Sequence, residues 1–249
     1  MKRVSLAVLM MLGSALNSAT AAEVKVLSGG AVEPGLHAFE ALVKRELGHD
    51  LQIQFNTTPQ IIKRLAGGDV YDIVIVTPPV IEQAIKDGKL AADGRAPVGR
   101  VGAGIIVRNG AAAPNMATVD AMKQALLGAD SVVYNSASSG IYLDQLFAKM
   151  GILDQIKPKT TRYPDGASVM EHVIKGKGKE IGFGAITEIK LYTSKGLTFI
   201  GPLPAEVQNY TTYDAAMMNG APSADAAKAV LKLLTTPAAK AAFSSAGVE

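Results

Sequence analysis

The chain contains no cysteine and no tryptophan, only three histidines, and 5% aromatic residues among its 249. These shortages exclude whole classes of chemistry. Without cysteine there is no disulfide framework, no thiol nucleophile and no residue to carry a lipid anchor. His37, His49 and His172 stand at unrelated places and form no ligand pair at helical spacing. No metal site is therefore expected, and each reads as a solvated or helix-surface imidazole. The formal charge is +3, and no stretch interleaves arginines with aromatic rings, which argues against nucleic acid as a partner. Also missing are a G-x-x-x-x-G-K-[ST] phosphate loop and a G-x-S-x-G nucleophile elbow. Lys175-Gly176-Lys177-Gly178-Lys179 lacks the spacing of the first and reads as a solvated turn. No bound cofactor is expected.

Long apolar runs are scarce too. The N-terminus carries Lys2 and Arg3, an apolar stretch from Val4 to Leu16, and small residues at Ala19 and Ala21. This is the pattern of a secretory signal peptide over residues 1–22, cleaved near Ala21 or Ala22. The stretch falls short of the roughly 20 apolar residues of a membrane helix, and nothing later approaches that length. Removing residues 1–22 takes away two basic side chains and leaves 23 basic against 22 acidic residues. The expectation is a nearly neutral protein, free in the periplasm.

From Val24 onward, short β-branched runs alternate with helix-type patterns. Strands are predicted at Val24–Leu27, Leu51–Phe55, Asp72–Val76, Gly104–Val107, Ser131–Tyr134, Ile181–Ala185 and Leu197–Ile200. Phe39, Leu42, Val43 and Leu47 share one side of a helix over Leu36–Leu47, as Ile61, Ile62 and Leu65 do in the next. Later helices run from Ser223 to Leu234 and from Pro237 to near Gly247. Such alternation implies an α/β fold, doubly wound, with parallel sheets covered by helices on both faces. Two stretches read as crossings between lobes: the glycine-punctuated Val98–Val107, and Tyr210–Met218. They divide the chain into a discontinuous first lobe, 23–100 plus 209–249, and a second lobe, 101–208, joined by hinge strands.

Three predicted strands end in turns rich in small and hydroxylated residues: Ser28-Gly29-Gly30-Ala31, Asn56-Thr57-Thr58-Pro59 and Ser136-Ala137-Ser138-Ser139-Gly140. In doubly wound sheets, ligands bind beyond the carboxyl ends of the strands. A helix start there leaves backbone N–H groups unpaired and carries partial positive charge, so these turns offer neutral donors to an anion. Taken singly, each is equally a helix cap or an ordinary turn. Three together point to one polar pocket. The carboxylates Glu33, Asp144, Asp165 and Glu188 fall near such turns without a spacing that singles out an acid/base pair. Arg64, Arg100, Arg108 and Arg162 are candidates to meet a carboxylated ligand.

Several segments carry a resemblance over essentially the whole mature chain: Val24-Lys25-Val26-Leu27, Phe55-Asn56-Thr57-Thr58, Arg64-Leu65-Ala66-Gly67-Gly68 leading to Tyr71-Asp72-Ile73-Val74-Ile75, Ser139-Gly140-Ile141-Tyr142, Glu180-Ile181-Gly182-Phe183-Gly184 and Leu231–Gly247. Together they resemble the molybdate-binding proteins of bacterial ABC uptake systems, which have the type II periplasmic binding-protein fold. The resemblance implies a monomer, an ABC permease as partner, and a small anionic ligand held by hydroxyls, backbone amides and a tyrosine hydroxyl. Carried over, it places donors at Thr58, Ser139 and about Ala167. Two positions depart from it. The first-turn serine falls on Ala31, beside Gly29 and Gly30, and the tyrosine falls on Ala185.

Each lost donor costs on the order of 1–3 kcal/mol, so the loss of two would weaken molybdate binding by more than about tenfold. The small residues also leave room for a larger ligand. The third turn and Ile181-Gly182-Phe183 are similar to a branch of this fold that includes a periplasmic aconitate isomerase. The expected ligand-binding set is Ser28, Gly29, Gly30, Ala31, Thr57, Thr58, Ser138, Ser139, Gly140, Ala167 and Ala185, in a solute-binding protein for a small oxyanion or organic acid. The alternative is an isomerase of an unsaturated tricarboxylate such as aconitate, its base left open among Glu33, Asp165, Glu188 and Ser28.

Overall fold

A computed structural model describes residues 21–249. All but the last two residues of the expected signal peptide lie outside the described residues. The chain begins with β1 (Glu23–Gly29), a 3-10 turn at Gly30–Val32, α1 (Glu33–Leu47), β2 (Asp50–Asn56), α2 (Thr58–Gly67), β3 (Ile73–Val76) and α3 (Pro78–Lys86). A long strand, β4 (Ala96–Arg108), leads to α4 (Val119–Gly128), β5 (Ser131–Asn135), α5 (Ser138–Lys149), α6 (Leu153–Ile156) and β6 (Thr160–Tyr163). Then come α7 (Gly166–Lys175), β7 (Glu180–Ala185), α8 (Ile186–Lys190), β8 (Leu197–Pro202), β9 (Tyr210–Met217), α9 (Ala224–Leu234) and α10 (Pro237–Ser245).

In one sheet β1 lies between β2 and β3, parallel to both, and β9 runs antiparallel between β3 and β4. In the other, β5 lies between β6 and β7, parallel to both, while β7 and β8 pair antiparallel with β4. Strand β4 belongs to both: Ala96–Gly102 pairs with β9, and Ala103–Arg108 with β7 and β8. Its register slips between Pro97 and Gly99, and Gly99 sits at φ 147°, a backbone state that side-chain-bearing residues rarely adopt. Strand β9 pairs only within the first sheet. The return from the second sheet is made by residues 203–209, where Gln208 Nε2 donates to the Ala103 carbonyl at 3.0 Å.

Helices cover both faces of both sheets. Phe39 and Val43 of α1, Val230 of α9 and Phe243 of α10 pack on one face of the first sheet, and Ile61, Leu65 and Ile81 of α2 and α3 on the other. Leu143 and Phe147 of α5 and Met170 and Val173 of α7 do the same for the second. Each such side chain contributes about 1.5–3 kcal/mol on full burial, so each half carries its own core.

Two readings of the sequence need correction, and one strand went unread. Ile62 is 48% exposed, because α2 docks through Ile61 and Leu65 and the residue after Ile61 turns away from that contact. His49 is buried rather than solvated: it follows Gly48, the left-handed cap of α1, and its Nδ1 accepts from the Ala22 amide at 3.3 Å. Strand β6 escaped notice because Thr160-Thr161-Arg162-Tyr163 has no apolar alternation.

Candidate anion-binding cleft

The carboxyl ends of β1, β2, β5 and β7 and the first turn of α7 meet at one cleft, with Val101, Gly102 and Ala103 of β4 in its lining. The cavity is about 40 Å³, room for a few water molecules. Five chain segments enter a helix here, at Gly30, Thr58, Ser138, Gly166 and Ile186. The first-turn amides of a helix have no intrahelical partner, and no lysine, arginine or histidine is among the described lining residues.

Each turn is shaped by its own sequence. At α2, Thr57 is the N-cap and the Gln60 side chain accepts from its amide at 2.8 Å, which leaves the next amide, Thr58, without an intrahelical partner. At α5, the buried Asn135 Oδ1 accepts from the amides of Ala137 (3.0 Å) and Gly140 (3.3 Å) and from the Ser139 hydroxyl (3.3 Å). The amides of Ser138 and Ser139 stay free in the first helical turn. Gly140 must lack a Cβ there, because one would overlap the Asn135 carbonyl. Asp165 caps α7 by accepting from the Ser168 amide at 2.8 Å.

The two halves touch across the cleft. Ser138 Oγ of α5 donates to Thr58 Oγ1 of α2 at 3.2 Å, and the buried Thr187 hydroxyl of α8 donates to the Ala31 carbonyl. Beside Thr187 lies Glu188, the charged residue in the lining. A Cβ on Gly30 would come within 2.9 Å of its Oε1, and one on Gly166 would overlap Oε2, so two glycines, one from each half, make room for this carboxyl. It has no hydrogen-bond partner among the described residues. Burial, reinforced by the charges of Glu33 and Asp165, pushes its pKa up to about 7. Tyr213 of β9 lies over Gly29, with Cε1 only 2.7 Å from where a Cβ would stand. Burial, then the charge of Glu188, raises its pKa, and its hydroxyl also has no partner among the described residues.

Of the residues singled out from the sequence, Gly29, Gly30, Ala31, Thr57, Thr58, Ser138, Ser139 and Ala185 line the cleft. Ser28, Gly140 and Ala167 do not. Ser28 is fully buried with its hydroxyl on the Gly29 carbonyl, the Gly140 amide is held by Asn135, and Gly166 takes the place expected of Ala167. The four arginines lie outside the lining. Arg64 pairs with Asp69 (2.8 Å), Arg100 with Glu249 (3.1 Å) and Arg162 with Asp144 (2.7 Å), while Arg108 reaches the Asn109 carbonyl. Asn56, Asn135, Gly166, Thr211 and Tyr213 were missed. For the two asparagines a signal existed, an amide side chain at the last residue of a strand entering a helix.

Residues 24–249 match the family described as bacterial extracellular solute-binding protein. An aconitate isomerase from a Pseudomonas species is 29% identical over 230 residues, covering 90% of this chain and 86% of its own. Among solved structures, the periplasmic molybdate-binding protein of Azotobacter vinelandii superposes with a TM-score of 0.74 at 15% identity, covering 91% of this chain and 98% of its own. The sulfate-binding protein of Mycobacterium tuberculosis does so at 0.73 and 16%, covering 91% and 86%. The fold is that of the type II periplasmic binding proteins, and the chain belongs to the bacterial extracellular solute-binding proteins.

Proposed function

We propose that this protein binds a small anion, an oxyanion or an organic acid, in the cleft, and hands it to an ABC permease in the periplasmic space. The lobes, 23–100 plus 209–249 and 101–208, close on the ligand about β4 and residues 203–209. The observation that carries this reading is the convergence of unpaired helix-start amides with the hydroxyls of Thr58 and Ser138, from opposite halves, in a cavity without a cation. The small cavity favours a compact anion in the present arrangement, and a wider cleft would admit a tricarboxylate. Ala31 and Ala185 supply no hydroxyl. Tyr213, from a different strand, offers one.

Thermal shift of the purified chain against molybdate, tungstate, sulfate, phosphate, citrate and both aconitates tests the reading. A ligand of the folded state raises the melting temperature. No shift with any of them removes anion capture.

A second reading, isomerisation of an unsaturated tricarboxylate, is favoured by Glu188, an unpartnered carboxyl with a midpoint near neutrality suited to take and return a proton. The isomerase relative supports it. Its rate should rise with pH through about 7 and vanish in Glu188→Gln; interconversion of cis- and trans-aconitate at the buffer rate rules it out.

A further inference from the structure

The cleft contains a group that a pure anion cradle does not need. Glu188 brings a carboxyl into a cavity whose other lining groups are neutral, where an ionised form would repel the ligand those groups attract. Its position is built rather than incidental, since Gly30 and Gly166 are the two lining positions at which any side chain would displace it. The carboxyl sits on α8, one residue after Thr187, whose hydroxyl bridges to the Ala31 carbonyl of the other half. The segment that makes this bridge also carries the carboxyl. We propose that Glu188 couples closure of the cleft on its anion to uptake of one proton, so that the anion is held with Glu188 neutral and donating a hydrogen bond.

The surroundings favour the neutral form. From α1 the facing group is Glu33, from the start of α7 Asp165, and from β9 Tyr213, all negative or neutral. Glu33 is itself 3.6 Å from the His37 ring, and Asp165 is occupied in capping α7. On α8's own segment, Tyr192 is neutral, and Lys190 extends its Nζ toward Gly247. No cation within the lining compensates a Glu188 charge, and a bound anion opposes it further.

The proposal rests on the anion-binding reading, and two measurements keep their failures apart. The first needs no ligand: the carboxyl carbon of Glu188 is followed by NMR against pH in the free protein. A midpoint about 7 supports the proposal, and an ordinary carboxylate midpoint overturns it. The second is calorimetric titration with molybdate, sulfate and trans-aconitate from about pH 7.5 to 9 in two buffers of different ionisation enthalpy. The proposal expects about one proton taken up per anion bound and about tenfold weaker binding per pH unit, both abolished in Glu188→Gln. Binding without proton uptake overturns it while leaving anion capture intact. If none of the three anions binds, the binding reading fails for them and the coupling falls with it, whatever midpoint the carboxyl shows.

Discussion

Where Thr58 faces Ser138, the cleft is made of neutral hydroxyls and amides whose geometry is set by local caps, with Gln60 behind Thr57 and Asn135 behind Ser138. Where Gly30 faces Gly166, the space is filled by one carboxyl that nothing among the described residues satisfies. The first wall is ready for an anion, and the second opposes one until it gains a proton. Stability and affinity are therefore expected to part company across the cleft. Groups on the donor wall serve ligand binding at little cost to the fold, whereas Glu188 weakens the fold whenever it is charged.

The largest effect is expected behind the donor wall. Gly140→Ala forces a Cβ into the Asn135 carbonyl and should lower unfolding free energy by about 3 kcal/mol in urea titrations, since the backbone of a packed helix must move. Next comes Glu188. With its folded-state midpoint raised from 4.5 to about 7, the folded chain holds the proton more tightly than the unfolded one. Its contribution is intact below about pH 4.5, is lost as pH rises through 7, and leaves a cost on the order of 3 kcal/mol above that. Glu188→Gln should therefore stabilise the ligand-free protein by about 2 kcal/mol at pH 8 and by almost nothing at pH 4, as followed by melting curves.

Thr58→Ala and Ser138→Ala should each weaken anion binding by roughly 5- to 100-fold with little change in melting temperature. Because the two hydroxyls touch, the double variant should lose less than the sum, which a double-mutant cycle by calorimetry checks. Smallest is Tyr213→Phe. Its hydroxyl has no internal partner to lose, so stability should stay within about 0.5 kcal/mol.

The donor wall was legible in the sequence and the carboxyl wall much less so. Thr57-Thr58-Pro59 and Ser138-Ser139-Gly140 announce helix starts through local chemistry, and the β/α alternation places those starts at the same ends of the sheets. Glu188 could be noted as a carboxylate near a turn but not chosen over Glu33 or Asp165. Its role depends on Gly30, Gly166 and Tyr213, far apart in the chain, and its desolvation is a property of their meeting. Tyr213 was hidden for the same reason, being one of the alternating residues of a strand whose two faces only the sheet register distinguishes. The expected role of Gly140 as a donor failed because Asn135, the strand's last residue, had already claimed its amide.

The account is tested most directly by measuring the affinity of one anion, the strongest binder of the panel, for the parent, Thr58→Ala and Glu188→Gln at pH 8. Opposite changes are predicted, weaker binding in Thr58→Ala and tighter binding in Glu188→Gln. Unchanged binding in Thr58→Ala, or weaker binding in Glu188→Gln, would contradict it.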